Sequence, residues 1–207
     1  MIKTLNFKIL FLVIIFLSLG STAIFQYQSS KEFDYLVSIK TEFGEMKLLL
    51  FDDTPMHKKN FITLAGEGKY NGSIFHRVIN NFMIQGGGLP KEFQSYYDTL
   101  AFDKKTLPNE ISGKHLHKFG ALAAARTENP EKRSDISQFY IVQNHDGTHH
   151  LDNSYTVFGQ VIIGFDVIDK IANQPVDGSI PIKPIVMNIS VEKVKRSDII
   201  RFYGNVY

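Results

Sequence analysis

An arginine and a glutamine set among Phe, Met, Val and Ile are the side chains of this chain best placed to do chemistry. They are Arg77 and Gln85, in the stretch Phe75-His-Arg-Val-Ile-Asn-Asn-Phe-Met-Ile-Gln-Gly-Gly that ends at Gly87. Asn80-Asn81 splits it into two short apolar runs joined by a turn. Strand alternation assigns Phe75, Arg77 and Ile79 to one face of the first run, and Met83 with Gln85 to one face of the second. Burying an unpaired guanidinium costs several kcal/mol, so two readings stand. In one, the stretch is the wall of an apolar pocket carrying a few aimed polar groups. In the other, it is an edge hairpin whose arginine reaches solvent along its own apolar stem. Gly86-Gly87-Gly88 follows, where backbone can bend or come close to a ligand.

Other chemistries find little support. Cysteine is absent, which excludes thiol nucleophiles, disulfides and thiolate metal sites. His145, His149 and His150 lie close in sequence, but they fall in a loop and no cysteine assists them, so they read as solvated histidines and no metal is expected. His115 and His117 read the same way, and His76 reads as structural. The charged run Glu128 to Asp135 reads as a solvated loop. Two of the 23 basic residues precede residue 30 with no acid beside them, leaving 21 bases against 21 acids in the remainder. Such a balance offers no global field for nucleic acid, and none is expected as a partner.

The elements that must position Arg77 and Gln85 follow from patterning. Tyr35 to Phe43 and Met46 to Phe51 read as a hairpin with its turn at Gly44-Glu45. Thr54 reads as a helix cap, with Pro55 at the first position and Phe61, Leu64 and Ala65 at helical spacing. Leu89 to Lys118 is a long irregular excursion. Gly120 to Ala125, Gln138 to Gln143 and Tyr155 to Ile162 read as strands. Phe165, Ile168, Ile171 and Ala172 mark a second helix as core packing, and Ile185 to Val194 is a closing strand. The order points to a mainly β fold, a closed antiparallel barrel with two helices covering its ends.

Taken together the blocks resemble the cyclophilin-type peptidyl-prolyl isomerases. The resemblance rests on Phe75-His76-Arg77-Val78-Ile79, Phe82-Met83-Ile84-Gln85-Gly86-Gly87, Gly120 to Arg126, Ser137 to Ile141, and Leu151-Asp152 followed by Tyr155 to Gly159. It implies an eight-stranded barrel capped by two α-helices over residues 31–195, catalysis of X-Pro rotation without any cofactor, and proline-containing polypeptides as partners. It also implies site residues. Arg77, Phe82, Gln85 and Gln138 would be catalytic. Met83, Ala125, Arg126, Tyr140, His150, Leu151 and Tyr155 would bind substrate. Tyr140 stands where many relatives have Phe, and His150 where many have Trp, which implies weak binding of the inhibitor cyclosporin. A membrane-tethered module that binds proline segments with little catalysis is the alternative, and the chain is expected to be monomeric.

Residues 1–30 differ from the rest. Lys3 and Lys8 precede an apolar run from Ile9 that persists to Phe25, roughly the 17 residues needed to cross a bilayer. The segment reads as a signal peptide, with Ser21-Thr22-Ala23 as small residues for cleavage, or as an uncleaved anchor. The positive-inside rule puts the domain across the membrane. The expected location is the cell envelope, anchored in the inner membrane facing the periplasm, or periplasmic after cleavage. Residues 196–207 read as a tail.

Overall fold

A computed structural model describes residues 32–89 and 97–206. The expected export segment lies outside the described residues. In chain order the elements are β1 (Phe33–Thr41), β2 (Gly44–Leu50), α1 (Pro55–Gly66), β3 (Ser73–Ile79), β4 (Met83–Gly87), β5 (Thr106–Leu107), β6 (Ala121–Ala124), β7 (Ser134–Asp135) and β8 (Gln138–Val142). A 3-10 turn (His149–Leu151), β9 (Val157–Ile163), α2 (Phe165–Ala172), β10 (Val176–Asp177), β11 (Ile180–Pro181), β12 (Ile185–Lys195) and α3 (Arg196–Tyr203) complete them. Eight strands close a barrel in the order β1-β12-β3-β4-β8-β6-β9-β2, so no strand of the barrel is left with an unpaired edge. The expected barrel is therefore present, with a third helix where a tail was expected.

By contact the chain divides into a unit of residues Tyr35–Glu192 and a smaller one that pairs residues up to Asp34 with Lys193–Tyr207. Within the smaller unit, Arg196 pairs with the buried Asp34 at 3.1 Å, and Lys193 sits 5.0 Å over the Phe33 ring.

Alternation fills the barrel of the larger unit. Val37, Ile39, Met46, Leu48, Ile84, Leu122, Phe139 and Ile141 point inward into one buried cluster. Helix α1 buries Phe61 and Ala65 against it. The Phe61 ring meets Phe139 edge-on at 5.5 Å, and Tyr70 meets the same ring at 5.8 Å and 86°. Side chains of this size each contribute about 1.5–3 kcal/mol by leaving water, and the edge-on contacts add to that. Helix α2 buries Val167, Ile168, Ile171 and Ala172.

Local readings differ from the structure in three places. The first hairpin turns at Glu42-Phe43, between the paired residues Thr41 and Gly44, with the Phe43 N–H donating to Thr41 Oγ1 at 3.1 Å. Gly44 adopts φ +133°, and a Cβ there would lie 2.8 Å from Val167 Cγ2, so that side chain of α2 would have to shift. Strand β9 begins at Val157 rather than Tyr155; just before it the buried Thr156 hydroxyl accepts the Glu110 N–H at 3.0 Å.

The third difference is the start of α1. Thr54 makes no side-chain cap; its hydroxyl donates to Phe51 O at 3.2 Å. The free N–H groups of Met56 and His57 instead donate to the two carboxylate oxygens of Glu110, each at 2.9 Å. Glu110 lies in the long excursion and is nearly as buried as His57, whose Nδ1 sits 2.6 Å from the same carboxylate. A carboxylate at this position satisfies two orphan donors and the positive end of the helix dipole. Glu110→Ala leaves both N–H groups and the imidazole without their acceptor. It should cost about 2–4 kcal/mol in urea unfolding; a loss below ~0.5 kcal/mol would remove this role from Glu110.

Candidate active site

Strand β3 does not alternate without interruption. Its pairing with β4 slips between Phe75 and Arg77, so that Phe75 faces Gly86 while Arg77 faces Gln85. His76 is the extra residue of this bulge, and it reverses the facing of everything after it. Phe75 is 1% exposed in the core, whereas Arg77 is exposed on the outer face. The expectation that Phe75 and Arg77 share a face is thereby corrected. Met83 and Gln85 do share one.

Cross-strand registers then set a row on the barrel's outside. Arg77 faces Gln85, Gln85 faces Tyr140, and Tyr140 faces Ala123. Beneath the row lies a second buried cluster, in which Met83, Ala121, Ala123, Ala125 and Tyr140 take part and against which Phe82, Leu151 and Tyr155 pack. The small side chains of β6 leave a depression. Arg77, Phe82, Met83, Gln85, Ala125, Arg126, Tyr140, Leu151 and Tyr155 line it as one groove.

Each wall is fixed by identifiable contacts. Phe82 follows Asn81, which adopts φ 58°; the Asn81 N–H donates to the buried Gln143 side chain at 2.6 Å. Arg77 Nη1 donates to Gln85 Oε1 at 3.3 Å, and Gln85 Nε2 donates to Gln138 Oε1 at 3.3 Å. Gln138 thus stands behind the groove lining, one hydrogen bond from it. The Arg126 guanidinium lies 4.6 Å over the Tyr155 ring and pairs with Glu128 at 3.1 Å. His150 stands outside the lining, stacked on Phe82 with ring centres 5.7 Å apart. Gly87, at φ +83°, has no space for a side chain because the Ser137 carbonyl crowds it. The glycine run serves strand packing at that point.

Two polar residues that the sequence reading left in solvent or unassigned hold this site together. Asp135 Oδ1 accepts the N–H groups of Ser137 and Gln138 at 2.7 and 2.9 Å, which presents Gln138 at the start of β8. Its other oxygen accepts Tyr97 Oη–H at 2.6 Å. The spacing Asp135-Ile-Ser137 is an Asx-turn signal that could have revealed it. His117 was expected in solvent and is instead fully buried, with Nδ1 2.8 Å from Asp152 and Nε2 2.8 Å from the Tyr140 hydroxyl. No local signal marks it, since its partners are distant in sequence. The remaining loop histidines have acidic neighbours, His145 on Asp169 at 3.0 Å and His115 on Asp53 at 2.7 Å. No metal-holding group occurs among the described residues.

Burial sets the charges. It pushes the Tyr140 hydroxyl well above its ordinary range. It holds His117 below the usual histidine value against the opposing pull of Asp152. Asp152 is also penalised by burial, but hydrogen bonds from His117 and His149 outweigh this and hold its carboxyl low.

This fold has known counterparts. Residues 36–194 match the family described as cyclophilin type peptidyl-prolyl cis-trans isomerase/CLD. A peptidyl-prolyl cis-trans isomerase of Acinetobacter baylyi is 37% identical over 172 residues, covering 77% of this chain and 86% of that protein. Peptidyl-prolyl cis-trans isomerase B of Escherichia coli is 38% identical over 143 residues, covering 66% of this chain and 83% of that protein. A crystal structure of a Cryptosporidium parvum cyclophilin-type isomerase, determined in the presence of the dipeptide Ala-Pro, superposes with TM-score 0.64 at 29% identity, over 76% of this chain and 98% of that one. The chain belongs to the cyclophilin-type peptidyl-prolyl cis-trans isomerases, and it is an enzyme of that activity.

Burial also makes the domain acid-sensitive. His57, His76 and His117 are all held below the ordinary value of 6.5, chiefly by desolvation. The unfolded chain therefore takes up protons that the native state refuses, and stability falls as pH drops below about 6.5. The urea midpoint should decline steadily between roughly pH 7 and pH 5. A flat midpoint across that range would contradict the assignment.

Proposed function

We propose that Arg77 is the group that accelerates X-Pro rotation in this isomerase, and that its clients are proteins exported from the cytoplasm. The carrying observation is the guanidinium at the rim of an apolar groove, exposed and hydrogen-bonded to the neutral side chain of Gln85. Among the described residues no carboxylate pairs with it, and its exposed donors are the ones that would meet substrate.

An X-Pro amide resists rotation by about 18–20 kcal/mol because its C–N bond has double-bond character. Twisting the bond by about 90° breaks that conjugation and localises a lone pair on the prolyl nitrogen. A fixed guanidinium donor aimed there favours the twisted amide over the planar one, which is transition-state binding. Phe82, Met83, Tyr140 and Leu151 supply an apolar seat for the proline ring. Gln85 and Gln138, linked at 3.3 Å, offer amide donors and acceptors to the flanking backbone. The Ala-Pro dipeptide present with the Cryptosporidium relative supports proline peptides as occupants. No covalent step is involved, and the groove needs no nucleophile or general base.

The export reading rests on sequence, from the basic start and apolar run of residues 3–25. On this reading the enzyme works at the outer face of the inner membrane, tethered there or released by cleavage. Two measurements test the proposal. Arg77→Ala should lower kcat/KM by about 10²-fold or more in a protease-coupled proline assay while leaving unfolding unchanged, since the side chain is exposed; near-wild-type rates would sink the assignment. Fractionation with mass spectrometry of the mature N-terminus should find the protein in the envelope, and a cytoplasmic pool retaining Met1 would sink the export reading.

A further inference from the structure

Tyr140 lines the groove with its ring, yet its hydroxyl leaves the groove altogether. It reaches Nε2 of His117 at 2.8 Å, a residue with no exposed surface. The opposite ring nitrogen of His117 lies 2.8 Å from Asp152 Oδ1, and that same oxygen accepts the His117 backbone N–H at 2.8 Å. A carboxylate only accepts, so Nδ1 carries the imidazole proton, Nε2 is bare, and the tyrosine O–H donates to it. The second carboxylate oxygen is taken by His149 at 2.9 Å, and the Thr148 N–H donates to the His117 carbonyl at 2.7 Å. Asp152 directly follows Leu151, a wall of the groove. One buried imidazole therefore joins the floor on β8 to the wall carried by the 3-10 turn.

Packing leaves the tyrosine ring few alternatives. The His117 ring lies nearly parallel to it, and Tyr155 meets it edge-on at 5.9 Å, 84°. A buried hydroxyl that loses its acceptor pays the full desolvation penalty. Tyr140 is 5% exposed and lines the groove, so the groove is a route to water for a displaced hydroxyl. We propose that His117 is a positioning residue of this isomerase: it holds the Tyr140 hydroxyl out of the proline pocket and so sets the pocket's depth. Without it the hydroxyl turns toward the groove and competes with the proline ring for space.

The proposal rests on the groove being the isomerase site, and the test separates the two. Wild type, His117→Leu, Tyr140→Phe and the double variant are compared as full chains, with folding followed by circular dichroism and isomerisation measured over a range of substrate concentration. His117→Leu should lower kcat/KM about tenfold, chiefly through KM, because the seat is obstructed while Arg77 is untouched. Removing the displaced hydroxyl should cure this, so the double variant should come within about threefold of Tyr140→Phe alone. A merely structural role for His117 gives the reverse, a double variant at least as impaired as His117→Leu. That result overturns the proposal, as does a folded His117→Leu within about twofold of wild type. If His117→Leu fails to fold, the double variant decides: folding with the activity of Tyr140→Phe supports the proposal, and failure to fold overturns it. An inactive wild type would strike down the isomerase site and this proposal together, whereas impairment of His117→Leu beside an active wild type bears on His117 alone.

Discussion

The hydrogen-bonded ladder that joins β3, β4, β8, β6 and β9 is the constraint on which the groove depends, because register decides which side chains reach the outside. Ile84, Leu122, Phe139 and Ile141 point into the barrel, and their immediate neighbours Gln85, Ala123, Gln138 and Tyr140 must then point out. A single slip of register would move all of them at once. The closed barrel forbids that slip, since every strand is held on both sides. The bulge at His76 breaks the period where an arginine must leave a strand whose earlier residue, Phe75, belongs to the core, and further shifts fall between Leu122 and Ala123 and between Lys47 and Leu48 where β6 and β2 meet β9. Core and site are thus two faces of the same pairing, and the stability of one fixes the geometry of the other.

Three loop carboxylates extend this control beyond the strands. Glu110 closes the start of α1, Asp135 presents Gln138, and Asp152 clamps His117 and the turn that carries Leu151. Each accepts backbone N–H groups that no regular element could satisfy. Exposed ion pairs on this chain, such as Lys170 with Asp166 at 2.7 Å, contribute far less, because solvent screens them. The loops around the groove are consequently ordered by a few buried acceptors rather than by many surface contacts.

Most of the barrel was legible in the sequence from patterning and turn signals, whereas most of the groove was legible only through the resemblance of contiguous blocks to the cyclophilin-type isomerases. Met83 with Gln85 on one face follows from period two. What escaped has a common cause. The bulge at His76 is one residue of irregularity inside an otherwise regular strand, and alternation carries no mark of it. Gly44 looked like a turn residue, whereas the side chain that crowds it belongs to α2, far along the chain. His117 and Glu110 looked like residues of a polar excursion, and their partners stand 35 and 53 residues away. Propensity and periodicity are local, and long-range satisfaction of a buried polar group is not.

The groove's openness bears on how such a site can work. Arg77 remains in contact with solvent, so its field is weaker than in a dry cavity, and the rate gain cannot come from charge alone. In the proposed mechanism the apolar seat supplies the rest by fixing the proline ring while the preceding carbonyl turns. Immobilising one side of the amide converts an unguided rotation into one whose midpoint lies against the guanidinium. For that to succeed the seat must have a definite depth, because a ring held too high would place its nitrogen away from the donor. Depth is set by Tyr140, and Tyr140 is set by what its hydroxyl bonds behind the wall. The chemistry at the exposed arginine is therefore only as well defined as the buried polar contacts beneath it.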